Sequence, residues 1–345
     1  MISQYPPMFE RFSRKKLLED PTPIQRLNRL EHELGNALGG VRIYVKRDDL
    51  MGLGGGGNKL RKLEFLLGEA LSQGCDTFIT TGGLQSNHAR LSAAAAAYVG
   101  LACELVLTEM VPRSDEAYRH NGNMLLYGIF GAKIHLLPGT ENALDFAKDR
   151  SEVLEREGRR PYVIGLGGSS AVGCLGYAAC AIEIAKQEQT VEGGFAQIVV
   201  PNGSSGTHAG LAAGSAAIGI DPARIRSYAV LSSAEKAHKS TRDLANATLA
   251  LLDPTKSIDA KSIDVSGDQR GDGYGIPTLA MLEAVRTMAR TEGLLLDPVY
   301  SGKAFAGVLD DIRRGAFKKD DAILFVMTGG LPSLFAYPSA FEDVS

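Results

Sequence analysis

A lysine that directly follows a run of glycines is the residue of this sequence best suited to covalent chemistry. Lys59 comes after the glycines at positions 54–57 and Asn58, and the apolar stripe over 60–67 predicts that it opens a helix. A cation at a helix N-terminus opposes the helix macrodipole, so an isolated lysine there is usually solvated. A partly buried lysine with a lowered pKa is, in contrast, what Schiff-base chemistry requires. Lys59 is therefore a candidate nucleophile toward a carbonyl compound.

A Gly/Ser turn between an apolar run and a small-residue helix is the second candidate. Residues 203–207, Gly-Ser-Ser-Gly-Thr, follow the apolar run 197–200. A helix N-terminus offers free N–H groups to a phosphate, and small side chains let it approach the backbone. The alternative is an ordinary strand-to-helix turn. The turn is not a Walker A loop, and the fragment at 165–168 lacks the remaining features of a dinucleotide fingerprint, which disfavours NAD.

The third candidate is Gln85-Ser86-Asn87-His88, again at the start of a predicted helix. Its free amides could hold a carboxylate. Ser and Asn are also the preferred N-cap residues, and both interpretations can hold at once. Lys62, one helical turn after Lys59, adds positive charge that would help to hold an anionic phosphate.

Composition and charge exclude several classes of protein. The 345 residues are 44% hydrophobic, which suits one large domain or two ordinary ones. A net charge of −3 argues against nucleic-acid or membrane partners. No apolar run reaches membrane-spanning length, and residues 1–7 contain no secretory signal pattern, so we expect a cytoplasmic protein. The four cysteines and six histidines lack ligand spacing, and no metal site is expected.

The elements that position these candidates alternate regularly from about residue 76 onward. Such alternation predicts βαβ units and a mainly parallel sheet, and strands this apolar suit a sheet covered on both faces. The predicted strands span residues 76–80, 103–107, 133–137, 161–164, 197–200, 225–231 and 322–326. The predicted helices span residues 86–99, 123–130, 143–157, 177–187, 206–217 and 278–292. Glycine-rich loops recur where strands end, which is where ligands bind in open α/β sheets.

Six ordered motifs resemble the D-cysteine desulfhydrase and 1-aminocyclopropane-1-carboxylate deaminase family, a branch of the fold type II, tryptophan-synthase β-like, pyridoxal-phosphate enzymes. The motifs lie at residues 56–64, 85–88, 203–207, 273–277, 297–303 and 328–330. The resemblance implies pyridoxal 5'-phosphate as cofactor, a homodimer, and an α/β fold of two open, twisted, mainly parallel-sheet domains. The smaller domain is expected over 63–172. The larger, cofactor-binding domain combines 1–62 with 173–345, and the cofactor lies between the two.

The same resemblance assigns roles to individual residues. Lys59 forms the Schiff base, Asn87 bonds the phenolic oxygen of the cofactor, and Thr328 faces its pyridine nitrogen. The remaining cofactor-binding residues are Lys62, Gly203, Ser204, Ser205, Gly206 and Thr207. The substrate-binding residues are Ser86, Asn87, His88, Tyr274 and Tyr300. The catalytic residues are Lys59, Ser86, Tyr274 and Tyr300, with Lys59, Ser86 or a tyrosine as the base for the Cα proton.

Two positions favour elimination over other reactions of this cofactor. A hydroxyl at Thr328 can leave the pyridine nitrogen unprotonated, which weakens the electron sink and discourages transamination. Ser301 stands where the deaminases of the family carry a glutamate, and its presence argues against opening a cyclopropane ring. Met327 and Ser205 depart from the family pattern of His and of Gly or Ala, which leaves the substrate open.

The resulting hypothesis is a carbon–sulfur lyase of amino-acid metabolism that converts D-cysteine to pyruvate, ammonia and hydrogen sulfide by α,β-elimination. L-Cysteate sulfo-lyase activity is the first alternative, favoured if a basic group reaches the sulfonate, and 1-aminocyclopropane-1-carboxylate deaminase activity is the second. A non-catalytic pyridoxal-phosphate-binding protein is the alternative of another class. The sequence leaves open the substrate and its chirality, the base, the oligomeric state and the pathway.

Overall fold

Ten strands and thirteen α-helices organise the part of the chain that the computed structural model describes, residues 6–19 and 21–342. Residues 1–5, on which the expected absence of a signal sequence partly depends, lie outside it. The strands are β1 (Ile24–Arg26), β2 (Arg42–Arg47), β3 (Thr77–Gly83), β4 (Ala102–Thr108), β5 (Lys133–Leu137), β6 (Pro161–Ile164), β7 (Gln197–Asn202), β8 (Ile225–Ala229), β9 (Asp264–Ser266) and β10 (Ala322–Met327).

The helices connect the strands and cover both sheets. They are α1 (Asn28–Leu34), α2 (Lys59–Ser72), α3 (Asn87–Val99), α4 (Glu116–His120), α5 (Asn123–Ile129), α6 (Ala143–Arg156), α7 (Ala171–Gln187), α8 (Gly206–Ala217), α9 (Ala234–Leu252), α10 (Leu279–Glu292), α11 (Ser301–Arg313), α12 (Leu331–Leu334) and α13 (Pro338–Phe341). No helix in these described ranges is long and apolar enough to cross a membrane.

The smaller sheet has four parallel strands in the order β5-β4-β3-β6. Its central strand β3 is buried at every residue, because helices cover both faces. Phe78 on β3 packs with Leu63 of α2 and Leu91 of α3 on one face, whereas Ile79 packs with Ala147 of α6 on the other.

The larger sheet has six strands in the order β1-β2-β10-β7-β8-β9, with β1 antiparallel and all other pairs parallel. Alternate side chains of β10 enter two separate cores. Ile323 and Phe325 join one core, and Leu324 and Val326 join the other. This period-two division of an entirely apolar strand is what burial on both faces requires. The prediction of two open, mainly parallel α/β sheets is confirmed.

The predicted division into domains stays a prediction. All four strands of the smaller sheet fall within 63–172, and the strands of the larger sheet fall outside it. Within the predicted larger domain, residues 1–5, 20 and 343–345 lie outside the described ranges.

A buried ion-pair network fixes the start of α2, the helix that carries Lys59. Arg61 donates from Nε and Nη2 to the two oxygens of Asp48, at 3.0 and 2.9 Å, and from Nη1 to Glu183 at 2.9 Å. Tyr177 and Thr22 donate to the same Asp48 carboxylate, at 2.6 and 2.8 Å. Burial alone would raise the pKa of Asp48, but the Arg61 guanidinium outweighs it and leaves that pKa below its ordinary value.

We expect Asp48→Asn to lower the free energy of unfolding by about 3–5 kcal/mol at neutral pH, because it leaves the buried Arg61 without its main counter-charge. The folded-state pKa of Asp48 is depressed, so its contribution is complete above the unfolded-state pKa and is lost as the pH falls through the folded-state pKa. The difference from the wild type should therefore shrink in acid. Urea unfolding at several pH values measures this. Asp243→Asn, which alters an exposed ion pair, is the matched control. Equal effects of the two substitutions would contradict the account.

Candidate active site

One pocket is lined by nearly all the residues that were predicted from the sequence to bind cofactor or substrate. It is bounded by the segments that follow β3, β7 and β10 and by the start of α2. The predicted residues in its wall are Lys59, Ser86, Asn87, His88, Gly203, Ser204, Ser205, Gly206, Thr207, Tyr274, Tyr300 and Thr328. The further lining residues are Asn58, Gly83, Met110, Leu166, Gly167, Pro201 and Leu231. Of the nominated set, Lys62 alone is missing from this wall.

Lys59 is the first residue of α2, and its half-buried side chain lines the pocket. Burial, followed by the charge of Lys62, lowers the pKa of Lys59 well below the usual value for lysine. A larger fraction of its amine is therefore neutral near pH 7 than in an exposed lysine. A neutral amine is the form that attacks a carbonyl carbon or accepts a proton.

Asn58 links the lysine to two other loops, a role that sequence reasoning did not assign. Its backbone N–H donates to the carbonyl of Thr328 at 3.0 Å, and its side-chain amide donates to Thr207 Oγ1 at 3.2 Å. Asn58 is thus held between the Thr328 loop and the turn at 203–207. These two bonds position the backbone from which Lys59 projects.

Lys62 lies behind the Gly/Ser turn rather than in the pocket. Its fully buried Nζ donates to the Gly167 carbonyl at 3.1 Å and to Ser169 Oγ at 3.0 Å. A β-carbon built on Gly206 would come within 2.4 Å of Lys62 Nζ and 2.5 Å of Ser169 Oγ. A larger residue at position 206 would displace the Lys62 and Ser169 side chains, and the Lys62 amine lies directly under the turn, even though burial lowers its pKa.

The turn at 203–207 leads into α8, and its backbone has an unusual conformation at Ser205. Ser205, immediately before the helix, has φ 65° and ψ −24°, in the left-handed region that favours glycine. The family pattern of Gly or Ala at this position makes Ser205 a departure, and the structure accommodates it with the hydroxyl near the Ala237 carbonyl, at 3.5 Å. The turn keeps the N-terminus of α8 exposed to the pocket, as a phosphate cup requires.

Ser86 caps helix α3, as the N-cap interpretation predicts. Its Oγ accepts a hydrogen bond from the Ala89 N–H at 3.1 Å, and Ser86 remains part of the pocket wall. The Nε2 atom of His88 is hydrogen-bonded to Thr80 Oγ1 at 2.8 Å. Burial, followed by the charges of Lys59 and Lys62, lowers the pKa of His88 well below its usual value.

Two tyrosines form a hydroxyl pair at the pocket wall. The hydroxyls of Tyr274 and Tyr300 lie 2.5 Å apart, and the rings meet edge to face with centroids 5.9 Å apart. Burial raises the pKa of both phenols, that of Tyr274 well above its usual value. Both tyrosines are therefore neutral near pH 7 and are better suited to donate a proton than to remove one.

Ser301 points away from the pocket. Its Oγ donates to Asp297 Oδ1 at 2.6 Å, and the same carboxylate accepts the N–H groups of Val299, Tyr300 and Ser301 at 2.7–3.0 Å. Asp297 is fully buried and shapes the turn that presents Tyr300. Asp297 lies in the motif at 297–303, but the sequence alone predicts no role for it. Ser301 therefore offers no acid to the pocket, whereas the nearby Thr328 lines it.

A family model for pyridoxal-phosphate dependent enzymes matches residues 15–329 of the chain. The chain therefore belongs to the pyridoxal-phosphate dependent enzymes, and pyridoxal phosphate is its cofactor. The predictions of fold type, cofactor and enzyme class are confirmed.

Individual relatives narrow the family further. A D-cysteine desulfhydrase from Serratia proteamaculans (strain 568) is 42% identical over 333 residues, which cover 94% of this chain and 96% of the relative. A D-cysteine desulfhydrase from Salmonella newport (strain SL254) is 44% identical over 327 residues, covering 95% and 97%. Among solved structures, an ACC deaminase homologue is 37% identical with a TM-score of 0.85 and covers 99% of both chains. The chain is thus a member of the D-cysteine desulfhydrase and deaminase family, as its motifs predicted.

More distant structures share the fold alone. A hydrogen sulfide-producing enzyme from Fusobacterium nucleatum is 18% identical, with a TM-score of 0.60 over 90% of this chain and 96% of that one.

The residues in the pocket fit the cofactor chemically. A lysine with a lowered pKa opens α2, and a turn with Gly206 packed against the Lys62 amine opens α8. The Thr328 hydroxyl is a neutral group suited to an unprotonated pyridine nitrogen. Each of these groups matches one part of pyridoxal phosphate: the aldehyde, the phosphate and the ring nitrogen.

Proposed function

We propose that the protein eliminates hydrogen sulfide from D-cysteine, so that D-cysteine and water give pyruvate, ammonia and hydrogen sulfide. The observation that carries this proposal is the single pocket that joins Lys59, the N-terminus of α3, the tyrosine pair and Thr328. Two relatives that are 42% and 44% identical over nearly their full lengths are D-cysteine desulfhydrases, which supports the same reaction here.

Within this proposal the cofactor is held at three points. The turn at 203–207 would bind its phosphate, Asn87 would donate to its phenolic oxygen, and Thr328 would face its pyridine nitrogen. When bound, pyridoxal phosphate would supply an electron sink for the substrate Cα, which makes the Cα proton acidic. The substrate carboxylate binds the free amides at 86–88, at the positive end of α3.

The burial of each candidate base favours Lys59 as the group that removes the Cα proton. The lowered pKa of Lys59 leaves a larger fraction of its amine neutral than in an exposed lysine, and a neutral amine can accept the Cα proton. Tyr274 and Tyr300 hold their protons, because burial raises the pKa of each phenol. Ser86 Oγ accepts the Ala89 N–H and acts in positioning the carboxylate site. The tyrosine pair is then free to donate to the sulfur that leaves.

The same pocket gives little support to the two alternative reactions. Apart from Lys59, His88 is the single basic residue in the wall among the residues described, and its lowered pKa keeps it neutral. A sulfonate would therefore meet no basic side chain other than Lys59, which serves as the base, and this disfavours L-cysteate. Ser301 is bonded to Asp297 and presents no acid toward the cofactor ring, which disfavours ring opening of the cyclopropane acid.

We further propose that the protein is a homodimer that works in the cytoplasm. Several large apolar side chains are exposed on the monomer, including Ile129, Leu125 and Phe335, which are 67%, 53% and 58% exposed. Contact with a second copy would bury such side chains. Light scattering on the purified protein measures the mass directly, and a monomeric mass would reject the dimer.

A panel of four amino acids tests the proposed reaction. The holoenzyme is incubated separately with D-cysteine, L-cysteine, L-cysteate and 1-aminocyclopropane-1-carboxylate, and the products scored are pyruvate, 2-oxobutyrate, sulfide and sulfite. We expect sulfide and pyruvate from D-cysteine at the highest kcat/KM. Sulfite from L-cysteate, or 2-oxobutyrate from the cyclopropane acid, at a higher kcat/KM would assign the pocket to the corresponding alternative.

A further inference from the structure

A buried hydrogen-bonded chain behind the pocket wall ends on Asn87. Arg90 of α3 and Asn123, the first residue of α5, are both 0% exposed and do not line the pocket. Arg90 Nη1 donates to Asn123 Oδ1 at 3.1 Å, and Asn123 Nδ2 donates to Asn87 Oδ1 at 2.9 Å. Asn87 is therefore connected to two buried residues that touch neither cofactor nor substrate.

The donor and acceptor roles along these hydrogen bonds are fixed, because some of the groups can only donate and others can only accept. A guanidinium only donates, so the atom of Asn123 that faces Arg90 must be its carbonyl oxygen. Asn123 Nδ2 also donates to the backbone carbonyl of Gln85 at 3.0 Å, and a carbonyl only accepts. The orientation of the Asn123 amide is therefore determined, and its NH₂ group faces Asn87. The Asn87 side chain must then turn its oxygen toward Asn123.

Ser333 and Gly330 lie on opposite sides of the Asn87 amide. Ser333 Oγ donates to Asn87 Oδ1 at 3.1 Å, so the oxygen has a second donor on the buried side. The Asn87 Nδ2 lies against Gly330, where a β-carbon would come within 2.7 Å of it. The NH₂ group of Asn87 is thus directed to the side of the loop at 328–330, which forms part of the pocket.

We propose that Arg90 and Asn123 are positioning residues that determine which end of the Asn87 carboxamide faces the cofactor. The inference rests on the proposed function, in which Asn87 contacts the phenolic oxygen. A donor at that oxygen stabilises its deprotonated form, whereas an acceptor repels it. Arg90 and Asn123 therefore set how readily the bound cofactor loses its proton, although neither touches it.

Asn123→Asp tests the proposal with almost no change in size. The carboxylate still accepts from Arg90, but an oxygen replaces the NH₂ group that faced Asn87. The Asn87 amide then turns its NH₂ inward and presents its oxygen to the cofactor. We expect the pKa of the visible absorption change of the pyridoxal-phosphate-loaded protein to rise by about 1–2 units, the effect of one hydrogen bond to a charged acceptor. Asn123→Ala, which removes the constraint without reversing it, should give a smaller rise.

A double-mutant cycle separates orientation from the added charge of the aspartate. In the Asn87→Ala background there is no amide to turn, so Asn123→Asp should shift the absorption pKa much less than in the wild type. An equal shift in both backgrounds would overturn the proposal, because the charge alone would then explain it. A lower melting temperature with an unchanged pH profile, in Asn123→Asp or Asn123→Ala, would overturn it as well and leave Asn123 a purely structural role.

The measurement also keeps this proposal distinct from the proposed reaction. Substrate is absent throughout, so a protein inactive toward D-cysteine would still show the expected shifts. If Asn87→Ala by itself leaves the absorption profile unchanged, Asn87 does not contact the phenolic oxygen. That result would overturn the positioning role of Arg90 and Asn123 without bearing on which amino acid is the substrate.

Discussion

Lys59→Ala should abolish both the visible absorption of the bound cofactor and the production of sulfide from D-cysteine. Loss of a positioned proton-transfer group alone lowers kcat by roughly 10²–10⁴-fold, and loss of the covalent link to the cofactor adds to that. The effect should be large because the amine that makes this link is also the one whose lowered pKa suits it to remove the Cα proton. Absorption spectra and a sulfide assay on the purified variant measure the two losses independently.

Lys148→Ala is a suitable control for that substitution. Lys148 carries a side chain that is 61% exposed and pairs with Asp145 on α6, away from the pocket wall. Its spectrum and activity should match those of the wild type. If Lys59→Ala, supplied with pyridoxal phosphate, kept the wild-type spectrum, another lysine would hold the cofactor and the assignment would be wrong.

Replacing either tyrosine of the hydroxyl pair should lower kcat/KM for D-cysteine by about 10²–10³-fold, within the range for a positioned proton donor. The two hydroxyls lie 2.5 Å apart and share one hydrogen bond, so each orients the other. We therefore expect Tyr274→Phe and Tyr300→Phe to be non-additive, with the double variant about as slow as the slower single variant. Steady-state kinetics of the three variants gives the coupling.

The cofactor spectrum and the melting temperature provide the control for this pair. Both should change little, because each phenylalanine keeps the ring and its packing. Tyr98→Phe, on a tyrosine that is 61% exposed, should retain wild-type kinetics. Fully additive losses would mean that the two hydroxyls act independently, and unchanged kinetics would remove the pair from the mechanism.

The strands and helices whose bounds were predicted correctly are those in which the local sequence pattern and the tertiary packing favour the same boundaries. The helix predicted over 206–217 and the strands predicted over 133–137 and 161–164 have the same bounds in the structure. The last strand differs by one residue, since β10 ends at Met327. In these segments apolar periodicity and turn residues indicate the same boundaries, so the local signal is sufficient.

Helix α7 shows why some boundaries could not be predicted. It begins at Ala171, six residues before the predicted start at 177. The prediction starts late because Gly173 and Gly176 have low helix propensity. A β-carbon on Gly176 would come within 2.0 Å of the Arg61 carbonyl. Glycine is required there so that α7 can pack closely on α2, and only the tertiary structure contains that reason.

The same limit applies to the candidate site. Residues at strand ends and helix starts, such as Lys59 and Ser86, were predictable because their types and neighbours carry a local signal. Asn123 begins a short helix, and its side chain bonds Asn87, 36 residues away in the chain. The spacing of Lys62, one helical turn after Lys59, predicts a cation beside the phosphate. Whether Lys62 faces the pocket or the rear of the turn depends on how α2 packs. Asn58, Asp297 and Arg90 likewise act through contacts that no spacing predicts.

Quantifying the sulfide and the pyruvate formed from D-cysteine tests the central claim most directly. Purified holoenzyme is given D-cysteine alone, and sulfide and pyruvate are measured over the same time course. We predict that the two form in equal amounts, and that neither forms with Lys59→Ala. Failure of the wild-type holoenzyme to form pyruvate, or consumption of D-cysteine with no sulfide released, would contradict the assignment of this pocket to α,β-elimination.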